Sequence, residues 1–239
     1  LANLTALLAA RKAKLTHNVW NEGHKERLGI IVSEEAHYCV DRAARIMGLG
    51  EEGIIKIPAT KDFALDTKQL EAYYQKAEKG GIKVFAIIGS APSTSTGIFD
   101  DLETIANFSH KPALTTALLF KDGTNSHATF SQKADYLLEQ SVEEDWYNLA
   151  KRTFECTKTM MSLHWFTLLK TYGEGLFDDY VTTLYDLGHH FAAIIKKDKN
   201  FDIAVEPMSN IVCFRYVNKT LDNKTLKKLI AHSIKAKWE

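Results

Sequence analysis

Three places in the chain set side chains capable of chemistry where a fold of strands and helices could use them. His37 follows the apolar run Gly29-Ile30-Ile31-Val32-Ser33 and opens a helical pattern. A strand-to-helix junction is where α/β sheets present ligands, so the imidazole is a candidate binding group; the bland alternative is a helix-start histidine facing water. The run Ser90-Ala91-Pro92-Ser93-Thr94-Ser95-Thr96 also follows an apolar strand pattern. Taken alone, its hydroxyls read as ordinary turn and capping chemistry, since serine and threonine favour loops. The third place, Gly48-Leu49-Gly50-Glu51-Glu52-Gly53, matches G-x-G-x-x-G. That dinucleotide fingerprint needs a strand before it and a helix after it, whose N-terminus holds a pyrophosphate. Here a helical pattern precedes, Ile54-Ile55-Lys56-Ile57 follows, and two glutamates would face the phosphate, so the segment is expected to be a loop.

The elements that must position these groups alternate. Leu1 to Lys14 carries a helical stripe at Leu1, Leu4, Leu7 and Leu8. A short strand ends near Ser33, and a helix spans about His37 to Met47. A strand at Ile54–Ile57, a helix around Thr67–Lys79, a strand at Lys83–Ile88, a helix at Asp100–His110 and a strand at Leu114–Phe120 follow. Continuous apolar strands between helices predict a mainly parallel sheet covered on both faces. The pattern changes near Asn148. Cys156, Met160, Leu163 and Thr167 share one stripe of a long helix, Gly173 offers a break, and a second helix runs from Leu176 to Lys196. Strands at Phe201–Val205 and Asn210–Val217 and a helix at Leu221–Lys235 complete the reading. It divides the chain into a large domain over 1–147 and, over 148–239, linker helices and the start of a smaller α+β domain.

Composition narrows the function classes. Of 239 residues, thirty are basic and thirty acidic, so net charge makes no case for nucleic acid or an anionic membrane. Cys39, Cys156 and Cys213 are scattered without metal-ligand spacing, and buried reduced thiols are expected; no metal is expected. No apolar run approaches transmembrane length. N-x-[ST] triplets at Asn3, Asn107, Asn218 and Asn223 are of a kind frequent by chance. The first residues already read as mid-helix, and the balance favours the cytoplasm.

Three segments together resemble the group II pyridoxal-phosphate (PLP) dependent amino-acid decarboxylases: LANLTALLAAR at Leu1–Arg11, SEEAHYCVDRAARIMG at Ser33–Gly48, and IIGSAPSTSTGIFDDLETIANF at Ile87–Phe108. The resemblance implies PLP as cofactor and the PLP-dependent transferase fold type I, an α/β architecture with a mainly parallel seven-stranded-type sheet flanked by helices. It places the first helix after a turn that holds the cofactor phosphate, as a helix N-terminus suits a dianion. It places His37 where the family stacks a histidine on the PLP ring, and Thr94 where a threonine lies beside the cofactor and the substrate carboxylate. Pro92 stands where glycine is common. FSQKADYLL at Phe130–Leu138 resembles the approach to the family's mobile catalytic loop, which makes Tyr147 the candidate acid that protonates the substrate carbon; the alternative for Tyr147 is a packed surface aromatic.

The family pattern also demands an aspartate for the pyridine nitrogen and a lysine that carries the cofactor as a Schiff base. His110-Lys111 invites assignment as that lysine's site, but the register from Asp100-Asp101-Leu102 fits the run to an earlier helix. Pro112 to Lys121 resembles the strand that follows the catalytic lysine. The chain therefore reads as jumping between Lys111 and Pro112 over a few dozen residues that include both groups, either omitted from this sequence or truly deleted. The implied activity is decarboxylation of an L-amino acid to an amine and CO2, in a homodimer with shared active sites. The wording of HYCVDRAARIMGLG and SAPSTSTGIFDDL is closest to bacterial L-2,4-diaminobutyrate decarboxylases, with glutamate and aromatic substrates as alternatives. From another class, the alternative is a catalytically inactive PLP-fold binding or structural subunit.

Overall fold

The computed structural model describes residues 2–109, 129–130, 152, 154 and 162–217. The expected strand at Leu114–Phe120, the helix at Leu221–Lys235, Tyr147, Cys156 and the Lys111–Pro112 junction lie outside them. The chain divides into two compact units, Leu1–Leu176 and Phe177–Glu239. The domain change expected between 147 and 148 falls among residues that are not described.

The first unit is built on three parallel strands, β1 (Arg27–Ser33), β2 (Ile54–Ile57) and β3 (Ile82–Ile88), in the order β2-β1-β3. Ile30 to Ser33 pair with Ile54 to Ile57, and β1 pairs with β3 with a register shift between Gly29 and Ile30. Gly29 is required there, because a Cβ would lie 2.6 Å from Ile82 Cγ2. Alternation along β1 sends its side chains to two cores. Leu28, Ile30 and Val32 pack with Leu7 and Leu8 of α1 (Ala2–Lys14) and Val40, Ala43 and Ala44 of α3 (Tyr38–Ile46). Ile31 packs on the other face with Ile57, Leu65, Leu70 and Ile105, brought by α4 (Leu70–Lys79) and α5 (Leu102–Ser109). The helix expected from Thr67 begins instead as a 3-10 turn, Thr67–Gln69, capped by the Asp66 carboxylate accepting the Lys68 N–H. A short α2 (Val19–Glu22) links α1 to β1, and its N-cap Asn18 accepts the Trp20 N–H.

Gly48 to Gly53 is a loop between α3 and β2, as its flanks demanded. Gly48 and Gly50 adopt φ of 75° and 69°, the left-handed region that glycine tolerates. Further along the chain, α6 (Ser162–Tyr172) ends at Gly173, φ 77°. In the second unit, most of α7 (Gly175–Lys197) presents the stripe Gly188, Ala192 and Ile195 as its buried side. A Cβ on Gly188 would stand 3.0 Å from the Ser209 oxygen and the Asn210 Cα, so the helix lies close on that backbone. The strands β4 (Phe201–Ile203) and β5 (Phe214–Tyr216) pair antiparallel, shorter than the runs expected from sequence. No helix among the described residues is long and apolar enough to cross a membrane.

Candidate active site

Because the three strands of the first unit are parallel, the segments leaving Ser33, Ile57 and Ile88 emerge at one edge of the sheet. That edge is where open α/β sheets bind ligands. The segment after β1 folds back at once: the Ser33 carbonyl accepts the Ala36 N–H at 3.0 Å and Ser33 Oγ accepts the Glu35 N–H at 3.2 Å. His37 then caps α3, its Nδ1 accepting the Cys39 N–H at 3.2 Å. Since Nδ1 is the acceptor, the neutral ring carries its proton on Nε2. The cap fixes the ring plane, and the neighbouring Tyr38 ring lies 4.3 Å away, tilted by 40°.

α1 presents its N-terminus to the same place. Asn3 Nδ2 donates to Cys39 Sγ at 2.9 Å, tying the first turn of α1 to that of α3. Cys39 is half-buried and carries no disulfide, so the fully buried thiol expected from sequence is corrected: its sulfur is recruited as an acceptor at a helix junction. No acidic residue stands in the first turn of α1.

The third wall is the loop after β3, in which the Ala91–Pro92 peptide is cis. Ser93 is buried and Thr94 is exposed. Ser93 Oγ and Ser95 Oγ are 2.9 Å apart, and Ser95 Oγ donates to Glu35 Oε2 at 3.2 Å, joining this loop to the His37 turn. A cavity of about 1260 Å³ opens here, lined among others by Ala2, Asn3, His37, Ser93 and Thr94. The structure thus brings together two of the three residues singled out from sequence, His37 and Thr94. Tyr147 is outside the described residues. Sequence reading missed Asp100, taken only as an acidic helix start. It is buried, and its carboxylate accepts the Leu65 and Ser90 N–H groups, each at 2.7 Å. Burial raises its pKa above the ordinary carboxylate value, and those two donors oppose the rise. Asp101 beside it accepts the Thr104 N–H at 3.0 Å, the bond expected of a helix start. Two successive acids do different work, and only the sheet edge decides which turns inward.

The family profile described as the pyridoxal-dependent decarboxylase conserved domain matches residues 1–116 and 112–217. The chain belongs to the pyridoxal-dependent decarboxylase family. It is 23% identical over 274 residues to aspartate 1-decarboxylase of Aliivibrio fischeri, across 91% of this chain and 49% of that protein. It is 21% identical over 285 residues to the aromatic-L-amino-acid decarboxylase of Bacillus atrophaeus, across 97% of this chain and 58% of that protein. Among solved structures, mouse CSAD superposes with a TM-score of 0.79 at 19% identity, covering 94% of this chain and 56% of that one. The glutamate decarboxylase domain of a diaminobutyrate-pyruvate transaminase and L-2,4-diaminobutyrate decarboxylase from Vibrio parahaemolyticus gives 0.70 at 20% identity, covering 98% and 56%. These likenesses show the expected α/β fold of PLP-dependent decarboxylases. The chain spans about half the length of the curated relatives it matches. Both alignments to the decarboxylases are longer than the whole 239-residue chain, so each relative carries residues that this chain lacks.

Proposed function

We propose that the complete protein decarboxylates an L-amino acid to an amine and CO2 with pyridoxal phosphate. The observation that carries this reading is the meeting of the α1 N-terminus, His37 and Thr94 around one cavity at the carboxyl edge of a parallel sheet. The donor set fits the cofactor. A capped imidazole suits the face of a flat ring, and an exposed threonine hydroxyl suits a carboxylate. When bound, the cofactor supplies the electron sink for the pair left by CO2 loss.

The residues of this chain orient and enclose. His37, held by the Cys39 N–H, covers one ring face and keeps the plane constant. Thr94 donates its hydroxyl to the substrate carboxylate, and Tyr147 delivers a proton to the substrate carbon. As substrate we propose L-2,4-diaminobutyrate, supported by the two sequence motifs and by the likeness to the Vibrio parahaemolyticus domain; acidic and aromatic amino acids compete, since relatives named for them align over most of the chain. We place the protein in the cytoplasm as a homodimer, a setting that suits its free Cys39 and Cys213 thiols.

A second reading is favoured by one observation: the relatives carry residues that this chain lacks. If the jump at Lys111–Pro112 is a true deletion, the protein is a PLP-fold subunit without the Schiff-base lysine. Borohydride reduction of the protein incubated with PLP, followed by peptide mass mapping, separates the two. The decarboxylase reading expects the cofactor fixed to one lysine lying between Lys111 and Pro112, with CO2 and amine released from the substrate before reduction. A peptide running from Lys111 directly into Pro112, with no fixed cofactor, establishes the subunit reading. Keto acid in place of amine refutes decarboxylation. With turnover in hand, Tyr147→Phe is expected to slow it at least tenfold while leaving cofactor absorbance intact; an unchanged rate removes Tyr147 from the chemistry.

A further inference from the structure

We propose that Asp100 is a positioning residue of the active site, the brace that holds the loop of Thr94 against the sheet edge. The inference rests on the reading of Thr94 as a substrate-facing hydroxyl and goes beyond it by naming what fixes that hydroxyl in place. Asp100 closes the loop that begins at Ser90 by two bonds. Its own N–H donates to the Ser90 carbonyl at 2.9 Å, and its carboxylate accepts the Ser90 N–H at 2.7 Å. The other carboxylate oxygen accepts the Leu65 N–H at 2.7 Å, on the segment that leaves β2. One buried side chain therefore ties together the connections that follow two strands. Both bonds are charge-assisted and short, which makes them stronger than amide-to-carbonyl bonds.

Inside the closed loop the chain is held again. The Ser93 N–H donates to Ile98 O at 2.8 Å, and the Gly97 N–H donates to Ser93 O at 2.9 Å. Ser95 reaches Glu35. Thr94 lies exposed between these anchors, so the backbone that carries its hydroxyl is held while the base of the loop stays shut. A carboxylate so buried is costly unless its lone pairs are used. Asparagine at this position keeps the shape but offers one accepting oxygen and turns an NH2 group toward a backbone N–H. The loop then opens at one of its two ties.

The test uses the complete protein, with the segment between Lys111 and Pro112 in place, and the variants Asp100→Asn, Thr94→Val and the double variant. Hydrogen exchange of the segment 91–98 is expected to rise at least tenfold in D100N, with β1 exchange unchanged. The KM for L-2,4-diaminobutyrate is expected to rise about tenfold in each single variant and no further in the double variant, because one acts through the other. Unchanged exchange in 91–98, or additive rises in KM, overturns the proposal. If D100N does not fold, the wild-type amides decide: Leu65 and Ser90 N–H exchanging as slowly as β1 supports the brace, and exchange at open-loop rates refutes it. The exchange measurements need no cofactor. Failure of the complete wild-type protein to take up PLP therefore counts against the proposed function, while unprotected amides count against Asp100.

Discussion

β1 and α6 carry comparable apolar runs and treat them differently. In β1, every residue from Leu28 to Ser33 is buried, with Ile30 and Ile31 fully so. In α6 no residue is buried, and Trp165 and Phe166 are 58% and 59% exposed. The difference is one of partners. A central parallel strand receives backbone bonds on both edges and a helix layer on both faces, so its apolar run is satisfied by the strands and helices packed on it. An eleven-residue helix has only its stripe to bury, and alone is marginal in water. Apolar sequence thus predicts burial where the topology is self-contained and predicts only an element where it is not.

The sharpest break of this comparison is Ile31→Ala. Ile31 is fully buried and packs against Ile57, Leu65, Leu70 and Ile105. Truncation removes buried methylenes and leaves a cavity in a layer braced on both sides, at a cost of about 3 kcal/mol. Chemical denaturation of the full chain measures it, and a loss under about 1 kcal/mol would mean that this face of the sheet collapses around the gap.

That same self-containment explains what could be read in advance. β2 falls where its apolar run predicts, at Ile54–Ile57, and the G-x-G-x-x-G segment is the loop that its flanking elements require. His37 and Thr94 were singled out by the resemblance, and parallel strands deliver the segments that carry them to one edge, where both line the same cavity. The inward turn of Asp100 was not legible, because its partners Leu65 and Ser90 lie thirty-five and ten residues away. Cys39 was misjudged for the same reason: its sulfur answers to Asn3, thirty-six residues earlier. Local pattern names the element, whereas the partner of a polar atom belongs to the tertiary fold.

A smaller effect probes the rim of the sheet unit rather than its core. His24 Nε2 lies 2.8 Å from Arg11 Nη1 on α1. Partial burial, then the charges of Arg11 and His17, lower its pKa below the ordinary 6.5. A histidine whose folded pKa is depressed binds fewer protons than in the unfolded chain, so its contribution is present above the ordinary pKa and is lost as pH falls through the folded value. The unfolding midpoint is therefore expected to drop as pH falls below the ordinary histidine value of 6.5, and His24→Gln to flatten part of that decline. An identical profile in the variant would assign the acid response to other groups.

The smallest expected effect is the counterpart of the first. Leu169 in α6 is 41% exposed. Leu169→Ala removes apolar surface that already faces water and keeps a good helix former, so stability of the chain is expected to change by less than about 0.5 kcal/mol. Set beside Ile31→Ala, the same kind of truncation then differs several-fold in cost, and the difference measures topology rather than residue type. A loss near that of Ile31→Ala would show that α6 is covered in solution, and would erase the contrast between the two runs.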